Sequence, residues 1–233
     1  MIEEPPALTI KRPSQRPTAK QIEAFQGVAT GFVVDAMYGA GALDITIQPI
    51  GDGRDIHCYA AGPVLTADNG PADILATSAA LAFLQPGDIL VAGFGAYQGC
   101  AAAGDRVAGM VKNNGAIGFV TDGPMRDYSG IIDVGLPCWC TGLTPGSPYS
   151  NGPGTVGLPI QIGGQQVATG DIMVADRDGV VVVPFEQIDR VIAELDRVVG
   201  LEKLLDAKVA EGLTVAPSVT DLLQSDRVQY LDD

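Results

Sequence analysis

Apolar positions recur along the chain with two periods, and the switches between them mark the elements. "TAKQIEAFQGV" opens on Thr18, a hydroxyl side chain suited to an N-cap, and continues at helical spacing. "GFVVDAMYGAG" reads as a second short helix ended by its glycines. "AAGPVLTAD" reads as a strand, and "PADILATSAALAFLQ" as a helix over 71–85 stopped by Pro86-Gly87. "DILVAGFG" is a buried strand running into a glycine loop. "GDRVAGMVKNNG" is a helix capped by Asp105 and closed by Asn114-Gly115. The strand "AIGFVTDG", the short helix "DYSGIIDVG" and the strand "LPCWCTG" follow.

Beyond them the pattern changes. "VGLPIQIGGQQVATGDIMVADRDGVVVVP" alternates strands with turns, and Gly163-Gly164 and Asp178-Gly179 are hairpin signals. A last helix covers roughly 185–209, and the polar "SDRVQYLDD" predicts a loose end. One echo is visible: "GDILVAGFG" from 87 and "GDIMVADRDG" from 170. Two copies make two similar strand entries, not a repeat array.

The middle third is thus β-α-β-α-β, which predicts a parallel sheet with right-handed crossovers. The last third is β-rich and closes with a helix. The expected fold is α/β: one domain over 18–212, with a central parallel sheet and an antiparallel β layer. An extended arm with four prolines precedes it over 1–17, and a tail follows over 213–233.

Composition and charge narrow the function. The 233 residues can bury a sizeable core. The formal net charge is −14, so the chain has no basic surface to release counterions from nucleic acid. A small acid can still bind where Arg, a metal or helix N–H groups concentrate positive charge. No apolar run reaches the ~18 residues of a membrane span. The start, "MIEEPPALTIKRPSQRP", lacks the order of a secretion signal, so a cytoplasmic protein is expected. Cys58, Cys100, Cys138 and Cys140 then read as reduced thiols. Cys138 and Cys140 flank Trp139 in an apolar stretch and read as packing rather than a zinc site.

Two charged groups stand out. Asp105 sits where a strand loop hands over to a helix. As an N-cap it leaves the N–H groups of Arg106, Val107 and Ala108 facing outward, ready for an anion. Gly104 allows close approach to the backbone. Arg126 and Asp127 follow the next strand, and both loops lie at the carboxyl ends of adjacent strands, where open α/β sheets bind ligands. Arg126 offers a planar fork for a carboxylate. Asp127 offers a hard oxygen for Mg²⁺ or Mn²⁺, and Asp105 could hold a water on that metal. The structural alternatives are surface charges, or pairing of Arg126 with Asp122.

Asp105, twenty intervening residues and Arg126-Asp127 match the D-x20-R-D pattern of the class II pyruvate aldolases of the 4-hydroxy-4-methyl-2-oxoglutarate and 4-carboxy-4-hydroxy-2-oxoadipate type. The wider family is called RraA-like, after a bacterial inhibitor of RNase E. Further segments resemble it in order: "VVDAMYGAG", "GPVLTAD", "QPGDILV", "GAIGFVTDGPMRD", "LPCWCTGLTP" and "VATGDIMVADRDGVVVVP". The resemblance covers about 20–212.

It implies a swivelling β/β/α domain, assembled as a homotrimer or homohexamer. It implies a small 2-oxo acid substrate, with Asp127 on Mg²⁺ or Mn²⁺, Asp105 holding that metal through water, and Arg126 on the pyruvyl group. The N–H groups at 105–108 would take the substrate carboxylate. The implied reaction is retro-aldol cleavage of a 4-hydroxy-2-oxo acid, or oxaloacetate decarboxylation, through a pyruvate enolate. A neighbouring subunit would supply an acid, with Glu202 and Asp206 as candidates beside their bland reading as solvated helix charges.

The sequence also departs from the family. Some members carry a His on the helix before P-G-D; this helix has none, and the lone His57 lies elsewhere at a strand edge. Lys112 is far along its helix, and no lysine Schiff base is required. In "AGFGAYQGC", Tyr97 and Gln98 replace common basic residues. If that loop faces the far end of the substrate, it suits fewer carboxylates than the usual dicarboxylic oxo acids. The competing function is a non-catalytic regulator that binds a protein, like the inhibitor that names the family. A methyltransferase is not supported, for want of a G-x-G-x-x-G after a first strand.

Overall fold

The computed structural model describes residues 4–231. In chain order its elements are β1 (Leu8–Ile10), α1 (Ala19–Glu23), α2 (Thr30–Ala36), β2 (Gln48–Pro49), β3 (Ala60–Asn69), α3 (Leu75–Ala80), β4 (Ile89–Gly93), α4 (Asp105–Asn113), β5 (Gly118–Thr121), α5 (Tyr128–Val134), β6 (Cys138–Cys140), β7 (Gly154–Val156), β8 (Ile160–Ile162), β9 (Gln165–Val167), β10 (Ile172–Ala175), β11 (Val180–Val183), α6 (Ile188–Ala210) and α7 (Pro217–Leu223). Among the described residues, no helix is long and apolar enough to cross a membrane.

β3 organises the sheet. Its sequence is apolar through Ala67 except for Thr66, and every position but Asp68 is buried. That is the composition of a strand covered on both faces. β3, β4, β5 and β6 run parallel side by side. β2 adds antiparallel to β6. On the other flank β7 pairs antiparallel with β3, and β1 pairs parallel with β7. β10 pairs antiparallel with Ala60–Pro63 of β3 and with β11, which makes the antiparallel layer. The β8–β9 hairpin turns at Gly163-Gly164, as expected. The fold is therefore the expected α/β arrangement.

The core runs along this sheet. Trp139, Phe119, Leu65, Ile89 and Leu90 are fully buried. The indole N–H of Trp139 donates to the Asp176 carbonyl at 2.7 Å, which satisfies the buried polar atom. Cys138 and Cys140 are buried beside Trp139, and their thiols donate to the Leu136 and Gly142 carbonyls. Burial raises both thiol pKa values, Cys138 well above the ordinary range.

The sequence echo has a structural counterpart. Gln85–Asp88 and Ala168–Asp171 are matching turns. In each, the Asp N–H donates to the carbonyl three residues back at 3.1 Å, and its carboxylate accepts that residue's N–H at 2.8 Å. Gly87 and Gly170 take the left-handed backbone (φ +86° and +99°) that such turns demand. Each turn delivers a strand, β4 or β10.

Several boundaries differ from expectation. The helix foreseen over 71–85 is only α3, followed by one 3₁₀ turn at Leu81–Phe83. Asp73 accepts the Leu75 N–H and delays the start, and the Gln85–Asp88 turn takes over at the end. The arm is tied down: β1 joins the sheet, and Arg16 pairs with Asp88 and donates to the Pro86 carbonyl at 3.0 Å. Thr18 caps α1 with a full capping box.

By its contacts the chain divides into two compact units, up to Leu195 and from Asp196 on. The helix carries through the division: Ile188, Val191 and Leu195 are buried, whereas Leu201, Leu204, Leu205 and Val209 are exposed. In the second unit, part of the expected tail is the helix α7, with Pro217 at its start. Asp232 and Asp233 lie outside the described residues.

Candidate active site

β4 and β5 are adjacent and parallel, so the loops that leave their carboxyl ends run side by side. Backbone hydrogen bonds continue the pairing past the strands: Ala102 N–H to the Pro124 carbonyl at 2.7 Å, and Arg126 N–H to the Ala103 carbonyl at 3.0 Å. A third segment, 142–148, joins them. Met125 donates to Gly142, Thr144 to Met125, and Ala101 to Gly146, at 2.9, 2.9 and 3.0 Å. Asp122 locks the turn, because its buried carboxylate accepts the N–H groups of Phe94 (2.5 Å) and Ala96 (2.8 Å). It is thereby committed to the loop, and the alternative pairing with Arg126 does not form.

Asp105 does not cap α4. Gly104 holds the N-cap position, without a side-chain cap, and Asp105 is the first helical residue. Its carboxylate lies instead against α5, where Oδ2 is 2.5 Å from the point a Cβ on Gly130 would occupy. The Ala108 N–H is also not outward-facing, because it makes the first helical bond, to the Gly104 carbonyl at 3.0 Å. The N–H groups left without an intrahelical acceptor are those of Asp105, Arg106 and Val107.

Asp127 holds the N-cap position of α5 in a left-handed conformation (φ 61°, ψ 46°). Asp tolerates this conformation better than most residues, and such strain concentrates at functional sites. Its Oδ2 is 3.3 Å from Arg126 Nε. Arg126 Nη1 donates to Ser147 Oγ at 2.6 Å. One of the five guanidinium N–H donors is thus hydrogen-bonded, with Nε in an ion-pair contact, and the other Nη hydrogens remain.

Ala101, Ala103, Gly104, Asp105, Arg106, Val107, Arg126, Asp127 and Ser147 line one cleft of about 170 Å³, with Ile74 and Pro148. Arg106 is exposed and, among the described residues, has no hydrogen-bond or ion-pair partner. The structure thus brings together Gly104, Asp105, Arg106, Val107, Arg126 and Asp127. Ala108 is buried in the helix behind them. Ser147 could not be found from the sequence, since a lone serine in a Pro-Gly-rich segment carries no signal.

The remaining candidates lie elsewhere. Gln98 lines a different hollow with Asp44, Thr46, Asp122 and Gly163-Gly164. It donates to the Ala96 and Asp122 carbonyls, so it braces the loop and does not line the cleft. Tyr97 packs edge-on against Phe94. Lys112 donates to the Val134 carbonyl. His57 stacks on Tyr59 ahead of β3. Glu202 is half-buried and Asp206 exposed on α6 in the second unit.

The cleft's donor set suits a hard divalent cation. Among the described residues, the Asp105 carboxylate accepts no hydrogen bond and that of Asp127 meets only Arg126. No set of three or more His, Cys, Asp or Glu side chains gathers as metal ligands among them. Two carboxylates with the rest water is the pattern of Mg²⁺, which keeps most of its hydration.

The chain is similar to known proteins over most of its length. The Aldolase/RraA description of the RraA-like family matches residues 30–182. A Halalkalibacterium halodurans protein with the provisional name 4-hydroxy-4-methyl-2-oxoglutarate aldolase is 35% identical over 173 residues, 73% of this chain and 80% of that one. The crystal structure of Streptomyces coelicolor RraAS2, described as an unusual member of the RNase ES inhibitor RraA family, superposes with a TM-score of 0.72 at 26% identity, covering 83% of this chain and 100% of that one. An uncharacterized Pseudomonas syringae protein shares the fold at a TM-score of 0.75 and 22% identity, over 86% and 92% of the two chains. The chain belongs to the RraA-like family.

Proposed function

We propose that this protein is a divalent-metal-dependent lyase that releases pyruvate from a 4-hydroxy-2-oxo acid, with oxaloacetate decarboxylation as a second activity of the same site. One observation carries the reading. In a chain of net charge −14, Arg106, Arg126 and the first N–H groups of α4 converge on a cleft that also holds two carboxylates with almost no partners. An acidic protein that builds such a pocket is equipped to hold a small acid beside a cation. The name of the Halalkalibacterium halodurans relative points to the same chemistry.

In this reading the substrate carboxylate takes the N–H groups of Asp105, Arg106 and Val107 together with the Arg106 guanidinium. The free Nη hydrogens of Arg126 meet the 2-oxo oxygen, where negative charge grows as the bond breaks. Asp127 would hold Mg²⁺ or Mn²⁺ directly and Asp105 would hold it through water; the metal would supply Lewis-acid stabilisation of the same oxygen. In the retro-aldol step the 4-hydroxyl loses its proton, and its electron pair forms the carbonyl of the departing fragment. The C3–C4 bond breaks, its electrons pass into the enolate, and a proton returned to C3 gives pyruvate. Asp105 and Asp127 are the carboxylates lining the cleft, so the proton travels through them or through water they hold.

The second reading, a protein-binding regulator, draws on the likeness to Streptomyces coelicolor RraAS2. One experiment separates the two. Metal-stripped protein is assayed for pyruvate release from 4-hydroxy-4-methyl-2-oxoglutarate and from oxaloacetate, with and without Mg²⁺ or Mn²⁺, beside Asp127→Ala. Release that requires metal and is lost in the variant supports the lyase. No release, with equal Mn²⁺ binding by wild type and variant, overturns it in favour of the regulator.

A further inference from the structure

Arg126 and Asp127 line two hollows, not one. The first is the cleft of about 170 Å³ described above. The second, of about 330 Å³, is completed by Tyr128, Leu143, Thr144 and Pro145. The two differ in charge. The first holds Arg106 and the free N–H groups of α4. In the second, the only cation among the described residues is Arg126, which is shared with the first and already engaged by Asp127 and Ser147.

Apart from Arg126 and Asp127, the walls of the second hollow are apolar or weakly polar. Leu143 is 54% exposed. Tyr128 donates its hydroxyl to Asp55 Oδ2 at 2.5 Å, so it offers a ring edge rather than a donor. Arg54, beside Asp55 in the chain, is itself paired with Asp52 at 2.7 Å. Thr144 Oγ1 accepts only a long bond from the Gly146 N–H, at 3.5 Å, so its own proton is free to donate.

If the acid head of the substrate fills the cationic cleft, C4 and its substituents project into the second hollow. We infer that the departing fragment is a neutral aldehyde or ketone, with Leu143 and Pro145 covering its alkyl or aryl substituent and the Thr144 hydroxyl donating to its carbonyl oxygen. A second carboxylate would enter a hollow whose lining cation, Arg126, is already held by Asp127 and Ser147, and a carboxylate desolvated without a partner is strongly unfavourable. An apolar substituent instead removes the exposed Leu143 from water. This inference rests on the lyase reading. It places specificity on residues 143–145 rather than on the Tyr97-Gln98 loop that the sequence singles out.

The test compares two substrates matched in size, 4-hydroxy-2-oxoheptanoate, which releases butanal, and 4-hydroxy-2-oxoadipate, whose fragment carries a carboxylate. Wild type is expected to favour the neutral compound by about tenfold or more in kcat/KM, the range a carboxylate left without its partner commands. Leu143 is on the surface, so Leu143→Arg should fold, and it should reverse the preference. Equal or better cleavage of the dicarboxylate by wild type overturns the inference and leaves the lyase standing. No pyruvate from either compound, and none from oxaloacetate, fells the lyase reading and this inference with it.

Discussion

Asp127 Oδ2 lies 2.6 Å from the point a Cβ on Gly104 would occupy. The relation is reciprocal across the site, because Asp105 Oδ2 stands 2.5 Å from the same point on Gly130. Each carboxylate therefore rests on a glycine of the other's segment. Each acid comes this close to the other's segment because a side chain is missing there.

Gly104→Ala tests this relation cleanly. Gly104 has an extended backbone (φ −140°) that any residue adopts, so the substitution carries no backbone strain. Its methyl group would push Asp127 and the Arg126 stem aside, and displacements near 1 Å cost on the order of 10²-fold in rate. Pyruvate release should fall about a hundredfold with little change in melting temperature. Gly109→Ala is the control. Its Cβ meets nothing nearer than Val134 Cγ2 at 3.8 Å, so it should gain about 0.5–1 kcal/mol from helix propensity, read as a higher Tm with unchanged activity.

Ser147 is a positioning residue for Arg126. With Nε on Asp127 and Nη1 on Ser147, the guanidinium plane is set before substrate arrives. Ser147→Ala should lower kcat/KM about tenfold, Ser147→Thr should restore most of it, and both should melt with wild type because the residue is exposed. A fall in Tm in step with activity would reduce Ser147 to a structural role.

The parts of this site that were legible in the sequence are those fixed by strand order. A β-α-β-α-β pattern puts consecutive loops at one sheet edge, so Asp105 and Arg126-Asp127 had to converge. What stayed hidden depends on side-chain direction and on distant chain. Asp105 ahead of a helix has the composition of an N-cap, yet Gly130 opens a space that draws its carboxylate away. Ser147 reaches Arg126 because residues 142–148 bond to both loops, and no local pattern announces that. Gln98 faces a separate hollow because Asp122 pulls its loop inward. No local pattern marks the division inside α6, because the helical period runs on past it and Val198 beyond it is still buried.

The two carboxylates should weigh unequally on metal binding. Asp127→Asn, at the residue proposed as the direct ligand, should weaken Mn²⁺ by about a hundredfold. Asp105→Asn, acting through water, should cost about tenfold, in the range of outer ligands. Calorimetric titration of stripped protein measures both. Equal losses would make Asp105 a direct ligand, and no loss in Asp127→Asn would remove the metal from this cleft.

Two buried aspartates should give opposite pH signatures in folding. Burial raises the pKa of Asp171 despite the Ala168 and Phe185 N–H groups that bond it. A carboxyl raised in the folded state holds more protons there than when unfolded. Its contribution is therefore greatest at low pH and declines as pH rises from 3.8 through the raised value. At Asp73 burial also acts upward, but the N–H groups of Asn151, Leu75 and Gly152 together outweigh it and lower the pKa. That contribution is present above 3.8 and lost as pH falls through the depressed value. Urea unfolding of dilute protein between about pH 3 and pH 7 reads both as differences from alanine variants. The wild-type advantage over Asp171→Ala should shrink as pH rises, while the advantage over Asp73→Ala should grow. Parallel slopes for the two would show that the N–H groups at Asp73 do not overcome its burial.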